Sequence, residues 1–156
     1  MPFFQVVVSG LIATGLMIVF MEAIYRVHWA ATNMVEAIGT AVTGSTDHSF
    51  GVGLVFDLFL GCVFSLIYYA ILKAVPISDP ASDIRLLIAL GVAQGLVAAM
   101  ALVILTDASE TFAKFRKGTT GIILGYLSGH FVYGLSLGIL FFLFHILPYT
   151  SYGSGT

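Results

Sequence analysis

The chain has 156 residues, of which 59% are hydrophobic and only 9% are charged, and its mean hydropathy is +1.04. A soluble domain carries roughly a quarter charged residues. A chain this poor in charge would aggregate in water, so lipid must be the solvent for most of its surface. The net charge of −2 does not favour binding to nucleic acid, and the single cysteine, Cys62, excludes an intrachain disulfide.

Four apolar stretches are long enough to cross a membrane. They cover approximately residues 3–25, 50–72, 84–105 and 121–147. A helix needs about 20 mostly apolar residues to cross the hydrocarbon core, and backbone groups in lipid must pair within their own segment. The sequence therefore predicts an all-α integral membrane four-helix bundle that forms one domain over residues 1–156.

The connection between the first two spans has the pattern of an amphipathic helix over about residues 29–43. Apolar Met34, Ala41 and Val42 belong to a set that recurs at three- and four-residue steps, and polar residues follow the same rhythm on the other face. The segment is too short and too polar to span. It either rests at the interface or packs across the mouth of the bundle. Packing is favoured because interfacial helices usually carry several basic residues and this one carries none.

The other connections contain capping and basic residues. In the second connection, Asp79 or Ser82 can cap a helix whose first turn contains Pro80. In the third connection, Phe112 and Phe115 are expected on the membrane surface beside basic side chains.

Basic residues also predict the orientation of the chain in the membrane. The first and third connections carry more of them than the second does: Arg26, Lys114, Arg116 and Lys117 against Lys73 and Arg85. Because cytoplasmic loops are enriched in Lys and Arg, we expect the first and third connections in the cytoplasm and both termini on the periplasmic side.

Glycines in the third and fourth spans are spaced for helix packing. Membrane helices associate through close backbone contact at small residues, because lipid tails are as apolar as leucine. The predicted packing residues are Gly91, Gly95, Gly121, Gly125, Gly129, Gly134 and Gly138. The alternative for this stripe is a groove that admits a lipid tail, quinone or pigment.

Four polar side chains fall inside or at the end of the spans: Glu22, Asp57, Gln94 and His130. Ionisable groups within a span cost roughly 2.5 to 3.5 kcal/mol on insertion scales, which makes them functional candidates. Counting residues from the span ends places Asp57 and His130 in the same half of the bilayer. We therefore predict that these two side chains approach each other or share a polar partner.

Three interpretations of this polar cluster are open: a hydrogen-bond network that fixes helix register, a path for protons or a small solute, and ligation of a metal, haem or pigment through His130. No HxxxH or ExxH pair places two ligands on one helical face, so the sequence predicts no metal site and no resident cofactor. Catalytic residues are not predicted either, because a phosphate-binding glycine loop before a helix and a CxxC motif are missing from the sequence.

The last span contains the sequence GHFVYG at residues 129–134, followed by Gly138. Together with a glycine-rich first span and a short helix that ends in a turn at Gly44, this pattern resembles uncharacterised four-span bacterial inner-membrane proteins, including the YagU-like group. Spans in that group typically carry a histidine followed four residues later by glycine. The resemblance implies a four-span fold and a bacterial inner-membrane location.

The sequence favours a non-catalytic accessory or structural subunit of a larger bacterial membrane protein complex. The predicted partners are membrane lipid and other membrane protein subunits, because the loops are short and the helix faces are apolar. The alternative is a small oligomeric transporter or proton-conducting protein that uses Glu22, Asp57 and His130.

Overall fold

Regular structure in the described part of the chain is helical throughout. The computed structural model describes residues 2–30, 32–75, 79–108, 110–115 and 119–146. Its α-helices are α1 (Pro2–Arg26), α2 (Met34–Thr43), α3 (Ser49–Ala74), α4 (Pro80–Ala108) and α5 (Thr119–Leu143), with a 3₁₀ helix at Glu110–Phe115. All of these α-helices except α2 are long and apolar enough to cross a membrane. The predicted all-α, multi-pass membrane fold is therefore confirmed.

The spanning helices form a curved row in the order α3, α1, α5, α4. α1 packs against α3 on one side and α5 on the other, and α5 packs against α4. α3 and α4 lie at the two ends of the row and touch each other at only a few points. The curvature brings these two helices face to face and leaves a space between them.

Small residues permit close contact between α1 and α3. A Cβ atom built on Gly10 would lie 2.8 Å from the carbonyl oxygen of Gly61, and the side chain of Thr14 covers Gly61 itself. The Thr14 hydroxyl is satisfied within its own helix, because it donates to the carbonyl of Gly10 at 2.8 Å. A buried threonine can therefore pack here without an unpaired hydroxyl.

The glycines predicted for packing lie at two different interfaces. Gly91, Gly95, Gly134 and Gly138 lie between α4 and α5, where Cβ atoms on the first three would crowd the backbone of the facing helix and one on Gly138 would crowd Ile84. Gly125 and Gly129 lie on another face of α5, beneath the Met34 and Met21 side chains. Gly121 is half-buried near the start of α5. α5 is thus the helix that joins α4 to the rest of the bundle.

α2 packs against the first half of α3 in an antiparallel hairpin. Gly39 lies against the backbone of Ser49, and Gly53 lies against the carbonyl of Val35. α2 begins at Met34, five residues later than predicted, because the Asn33 side chain caps it by accepting a hydrogen bond from a backbone amide of the first turn. α2 therefore packs against the bundle, mainly along α3.

The buried face of α2 differs from the predicted one. Ala41 and Val42 are exposed, whereas Gly39 and Thr40 are buried. The difference arises because backbone contact at Gly39 decides which face meets α3, and the Thr40 hydroxyl is satisfied by the carbonyl of Glu36 at 2.9 Å. Hydrophobic periodicity alone does not predict this backbone contact at Gly39.

The expectation that Phe112 and Phe115 lie on the membrane surface is wrong. Their side chains are 5% and 3% exposed, and their ring centroids are 5.9 Å apart in the core. They lie in the 3₁₀ helix, in which residues three apart share a face. That face turns inward toward α4 and α2.

α4 begins at Pro80, four residues before the predicted apolar span, and Asp79, one of the two predicted caps, caps its first turn. The Asp79 carboxylate accepts hydrogen bonds from the hydroxyl and the backbone amide of Ser82, at 2.6 and 2.9 Å. These hydrogen bonds, with a smaller contribution from Arg85, lower the pKa of Asp79. Since the pKa is lower in the folded chain, the cap stabilises the fold above about pH 4 and this stabilisation is lost as the pH falls through the folded pKa.

We expect Asp79→Ala to lower the melting temperature at pH 7, and its difference from the native chain to shrink below about pH 4. Thermal unfolding followed by circular dichroism across this pH range measures both effects. Asp47→Ala, which removes a carboxylate from the exposed turn before α3, is the control. A difference between Asp79→Ala and the native chain that stays constant on acidification would contradict this account of the cap.

Candidate functional site

A cavity of about 460 Å³ occupies the space between α3 and α4. α1 and α5 form its floor, and Ile38 of α2 closes part of its wall. The α4 wall has room because several of its side chains are small: Ala93, Ala98 and Ala101. The volume falls within the roughly 300 to 1,000 Å³ that is typical of small-molecule sites.

The cavity is open sideways, toward the region that lipid occupies. α3 and α4 are not packed along their length, so no continuous helix interface separates the cavity from the bilayer. Val97, which belongs to the α4 wall, is 70% exposed, and Ala93 on the same wall is also exposed. The cavity is therefore open on the side where α3 and α4 face each other.

Asp57 places a carboxylate in the wall of this apolar cavity. The residue is 5% exposed, and its Oδ2 atom has no hydrogen-bond partner within the described part of the chain. Asp57 continues the buried four-residue spacing of Gly53 and Gly61 along α3. Its position is thus fixed by the same close packing that holds α3 against α1 and α2.

His130 lies in the wall of the same cavity. Its Nδ1 atom is 2.9 Å from the carbonyl oxygen of Tyr126. A carbonyl can only accept a hydrogen bond, so Nδ1 carries the proton and Nε2 of the neutral ring remains an acceptor. The ring is held in place by Tyr126, whose own ring centroid is 5.8 Å away, and by the close approach of Gly95.

Gln94 and Tyr68 form a bridge across the cavity between the two facing helices. The Tyr68 hydroxyl of α3 donates to Oε1 of Gln94 on α4, and the two atoms are 2.6 Å apart. Tyr68 also packs edge-to-face on Tyr133, with ring centroids 6.1 Å apart. Sequence reasoning selected Gln94 but missed Tyr68, although the periodic spacing of small residues along α3 would have placed Tyr68 on the buried face.

Glu22 is separate from this site. Its carboxylate pairs with Arg26 at 2.8 Å and accepts a hydrogen bond from the Asn33 side chain at 3.1 Å. It is absent from the described lining of the cavity, which α1 reaches through Thr14 and Met17. The structure thus brings Asp57, Gln94 and His130 together and assigns Glu22 to the junction of α1 and α2.

Known proteins add no assignment to this geometry. The chain matches no protein-family model, and no curated protein or solved structure is significantly similar to it. Within the described residues, no group of three or more His, Cys, Asp or Glu side chains is arranged to hold a metal ion. Functional interpretation therefore rests on the cavity and its polar wall.

Breaking the bridge tests whether it holds α3 and α4 together. We expect Tyr68→Phe to lower the free energy of unfolding by about 0.5 to 1.5 kcal/mol, because one hydrogen bond is lost and the Gln94 oxygen is left without its donor. Equilibrium unfolding in detergent measures the change. Tyr69→Phe is the matched control, because it also removes one hydroxyl group from α3. The contacts of Tyr69 with Phe141 and Lys73 are made by its ring, which phenylalanine keeps. Equal losses in both variants would show that the bridge has no particular role.

Proposed function

We propose that this chain is a small membrane transporter whose binding site is the cavity between α3 and α4. The observation that carries the proposal is the Asp57 carboxylate, buried in the cavity wall with an unpartnered oxygen. Burying a carboxylate that has an unpartnered oxygen is costly, so such a group is expected where a ligand compensates its charge. The proposed binding groups are Asp57 and His130, and Glu22 has no part in binding.

The polar groups of the cavity wall favour a ligand-binding role over a purely structural hydrogen-bond network. A network that fixes helix register satisfies its own members, as the Tyr68–Gln94 bridge does. Asp57 departs from this pattern because its Oδ2 atom has no hydrogen-bond partner among the described residues. The proposed function contains no catalytic step and needs no resident cofactor.

Saturable binding tests this proposal. The purified chain in nanodiscs of phosphatidylcholine would be titrated with three probes of one shape: 2-naphthylmethanol, 2-naphthylmethylammonium and 2-naphthoate. Empty nanodiscs correct for partitioning into lipid. Saturable binding of at least one probe, one molecule per chain, is the expected result. Binding of all three that never exceeds the empty nanodiscs would contradict the proposal.

A second candidate is a non-catalytic accessory subunit of a larger membrane complex. An apolar groove on the outer face of α3 favours it, formed by Gly51, Val52, Val55, Phe56 and Phe59. A partner helix fits such a groove through close packing. Gentle detergent extraction from the native membrane distinguishes the candidates. A large assembly with stoichiometric partners supports the subunit, and a compact species of the chain alone supports the transporter.

We further propose that the chain resides in a bacterial inner membrane, with the first and third connections in the cytoplasm. The support is the distribution of basic residues along the sequence and the resemblance to the YagU-like group. Thr46→Cys and Asp79→Cys, each made in a chain that also carries Cys62→Ala, would react with a membrane-impermeant thiol reagent from opposite sides. Labelling of the Thr46 position in intact cells would reverse the assigned orientation.

A further inference from the structure

The hydroxyl protons of the cavity wall are all committed to other protein groups. Thr14 donates to the carbonyl of Gly10 at 2.8 Å, and Tyr133 donates to the carbonyl of Gly61 at 2.8 Å. Tyr68 donates to Gln94. A hydroxyl group has one proton and two lone pairs, so each of these side chains offers the cavity only acceptor capacity.

The remaining polar groups of the wall are also mainly acceptors. His130 uses its Nδ1 proton on Tyr126, which leaves Nε2 as an acceptor. An ionised Asp57 carboxylate accepts hydrogen bonds and donates none. Lys and Arg are missing from the described lining, and the amide of Gln94 is the one side-chain donor left there. A ligand complementary to this wall must supply donors and positive charge.

We propose that the ligand is a lipophilic amine, bound as its ammonium form with the positive charge beside Asp57. This inference rests on the proposed function and specifies its substrate class. The ammonium group donates to the carboxylate, and the aromatic side chains of Phe64, Tyr68 and Tyr133 line the same wall. The apolar body of the amine lies against Leu90 and Val97.

A free amine fits the site better than a lipid with an amine headgroup. Asp57 lies eight residues from the start of α3 at Ser49, which places it about 12 Å along the helix from that end. A phospholipid bound there would draw its phosphate into the apolar interior, and the described cavity wall has no Lys or Arg to pair with it. A free hydrophobic amine has no phosphate group, so its binding places no anion in the apolar interior.

The three naphthyl probes test the inference because they share a ring and differ in charge. In phosphatidylcholine nanodiscs, we expect 2-naphthylmethylammonium to bind about 10- to 100-fold more tightly than 2-naphthylmethanol, the range given by one charge-assisted hydrogen bond. 2-Naphthoate is expected to bind most weakly. Repeating the titration with phosphatidylethanolamine in the nanodiscs distinguishes a lipid headgroup from a free amine as the ligand. A site for the lipid headgroup would lose the probe to phosphatidylethanolamine, whereas a site for free amines would bind the probe as before.

Asp57→Asn tests the role of the carboxylate with little change of shape. We expect it to weaken 2-naphthylmethylammonium binding by about 10- to 100-fold and to leave 2-naphthylmethanol binding within about threefold. Asp47→Asn makes the same chemical change in an exposed turn and should alter neither affinity. If Asp57→Asn fails to fold, the preference of the native chain among the three probes remains a complete test.

The outcomes separate this inference from the function on which it rests. Equal binding of the ammonium and the alcohol, or unchanged ammonium binding by a folded Asp57→Asn chain, overturns the amine assignment and leaves a neutral-ligand site. Preferred binding of 2-naphthoate also overturns it. Failure of every probe to bind saturably overturns the proposed function itself.

Discussion

Gly53→Ala is expected to separate α2 from α3 and to destabilise the folded chain by about 3 kcal/mol, the upper part of the usual range for overpacking. A Cβ atom on Gly53 would overlap the carbonyl oxygen of Val35 and lie 2.9 Å from the amide nitrogen of Gly39. These are backbone atoms on a packed helix, so no side chain can rotate away to make room. The two helices must move apart.

The measurement is equilibrium unfolding combined with hydrogen exchange of the α2 amides. Separation of the helices should raise exchange over residues 37–43 more than exchange in α5. Gly51→Ala is the matched control: it makes the same change two residues earlier on α3, where a Cβ atom meets nothing within 4 Å. That variant should be neutral or up to about 1 kcal/mol more stable, because alanine favours the helix. Equal destabilisation by both variants would refute the predicted contact.

Leu90→Trp is expected to weaken probe binding by about 10- to 100-fold while the chain remains folded. Leu90 is a half-buried residue of the α4 wall, and a larger ring there occupies volume that the ligand needs. Binding then requires the wall to relax, at a cost of about 1 to 3 kcal/mol. The effect should extend to every probe that binds the native chain, because it is steric.

Leu96→Trp is the matched control for this variant. Leu96 is on the same helix, is 46% exposed and lies outside the described cavity lining. Its replacement should leave the binding affinity within about twofold, while the melting temperatures of the two variants stay close to that of the native chain. Tight binding retained by a folded Leu90→Trp chain would place the ligand elsewhere.

The cavity lies between two helices whose glycines pack against other helices. The small residues of α3, including Gly53 and Gly61, meet α2 and α1, and the glycines of α4 at positions 91 and 95 meet α5. These contacts hold α3 and α4 against other helices, and the Tyr68–Gln94 hydrogen bond bridges the space between them.

Helix type and approximate span positions were predictable because they depend on local composition. Twenty apolar residues in lipid have one stable backbone solution, and the predicted spans overlap α1, α3, α4 and α5. Helix ends were less predictable. The start of α2 depends on one hydrogen bond that the Asn33 side chain accepts, and the sequence-based boundary missed it by more than one turn. The Asp79 cap at the start of α4 was one of the two caps predicted there.

The candidate site was predictable only in part. Depth along a span is readable from sequence and predicted the same half of the bilayer for Asp57 and His130, which both line the cavity. Rotation about the helix axis also decides which side chains meet, and Glu22 turns toward Arg26 and Asn33 instead of the cavity. The lateral order of the helices, which creates the cavity, follows from interhelical packing that no single segment encodes.

Photo-crosslinking is the measurement that tests the central claim most directly. 4-Benzoylbenzylammonium, a photoreactive aromatic amine, would be irradiated with the chain in phosphatidylcholine nanodiscs and the labelled residues identified by mass spectrometry. Labelling should concentrate on the facing segments of α3 and α4, residues 57–68 and 90–101, and excess 2-naphthylmethylammonium should suppress it. Labelling confined to lipid-facing residues such as Val55 and Phe59, unaffected by the competitor, would contradict a binding site between these helices.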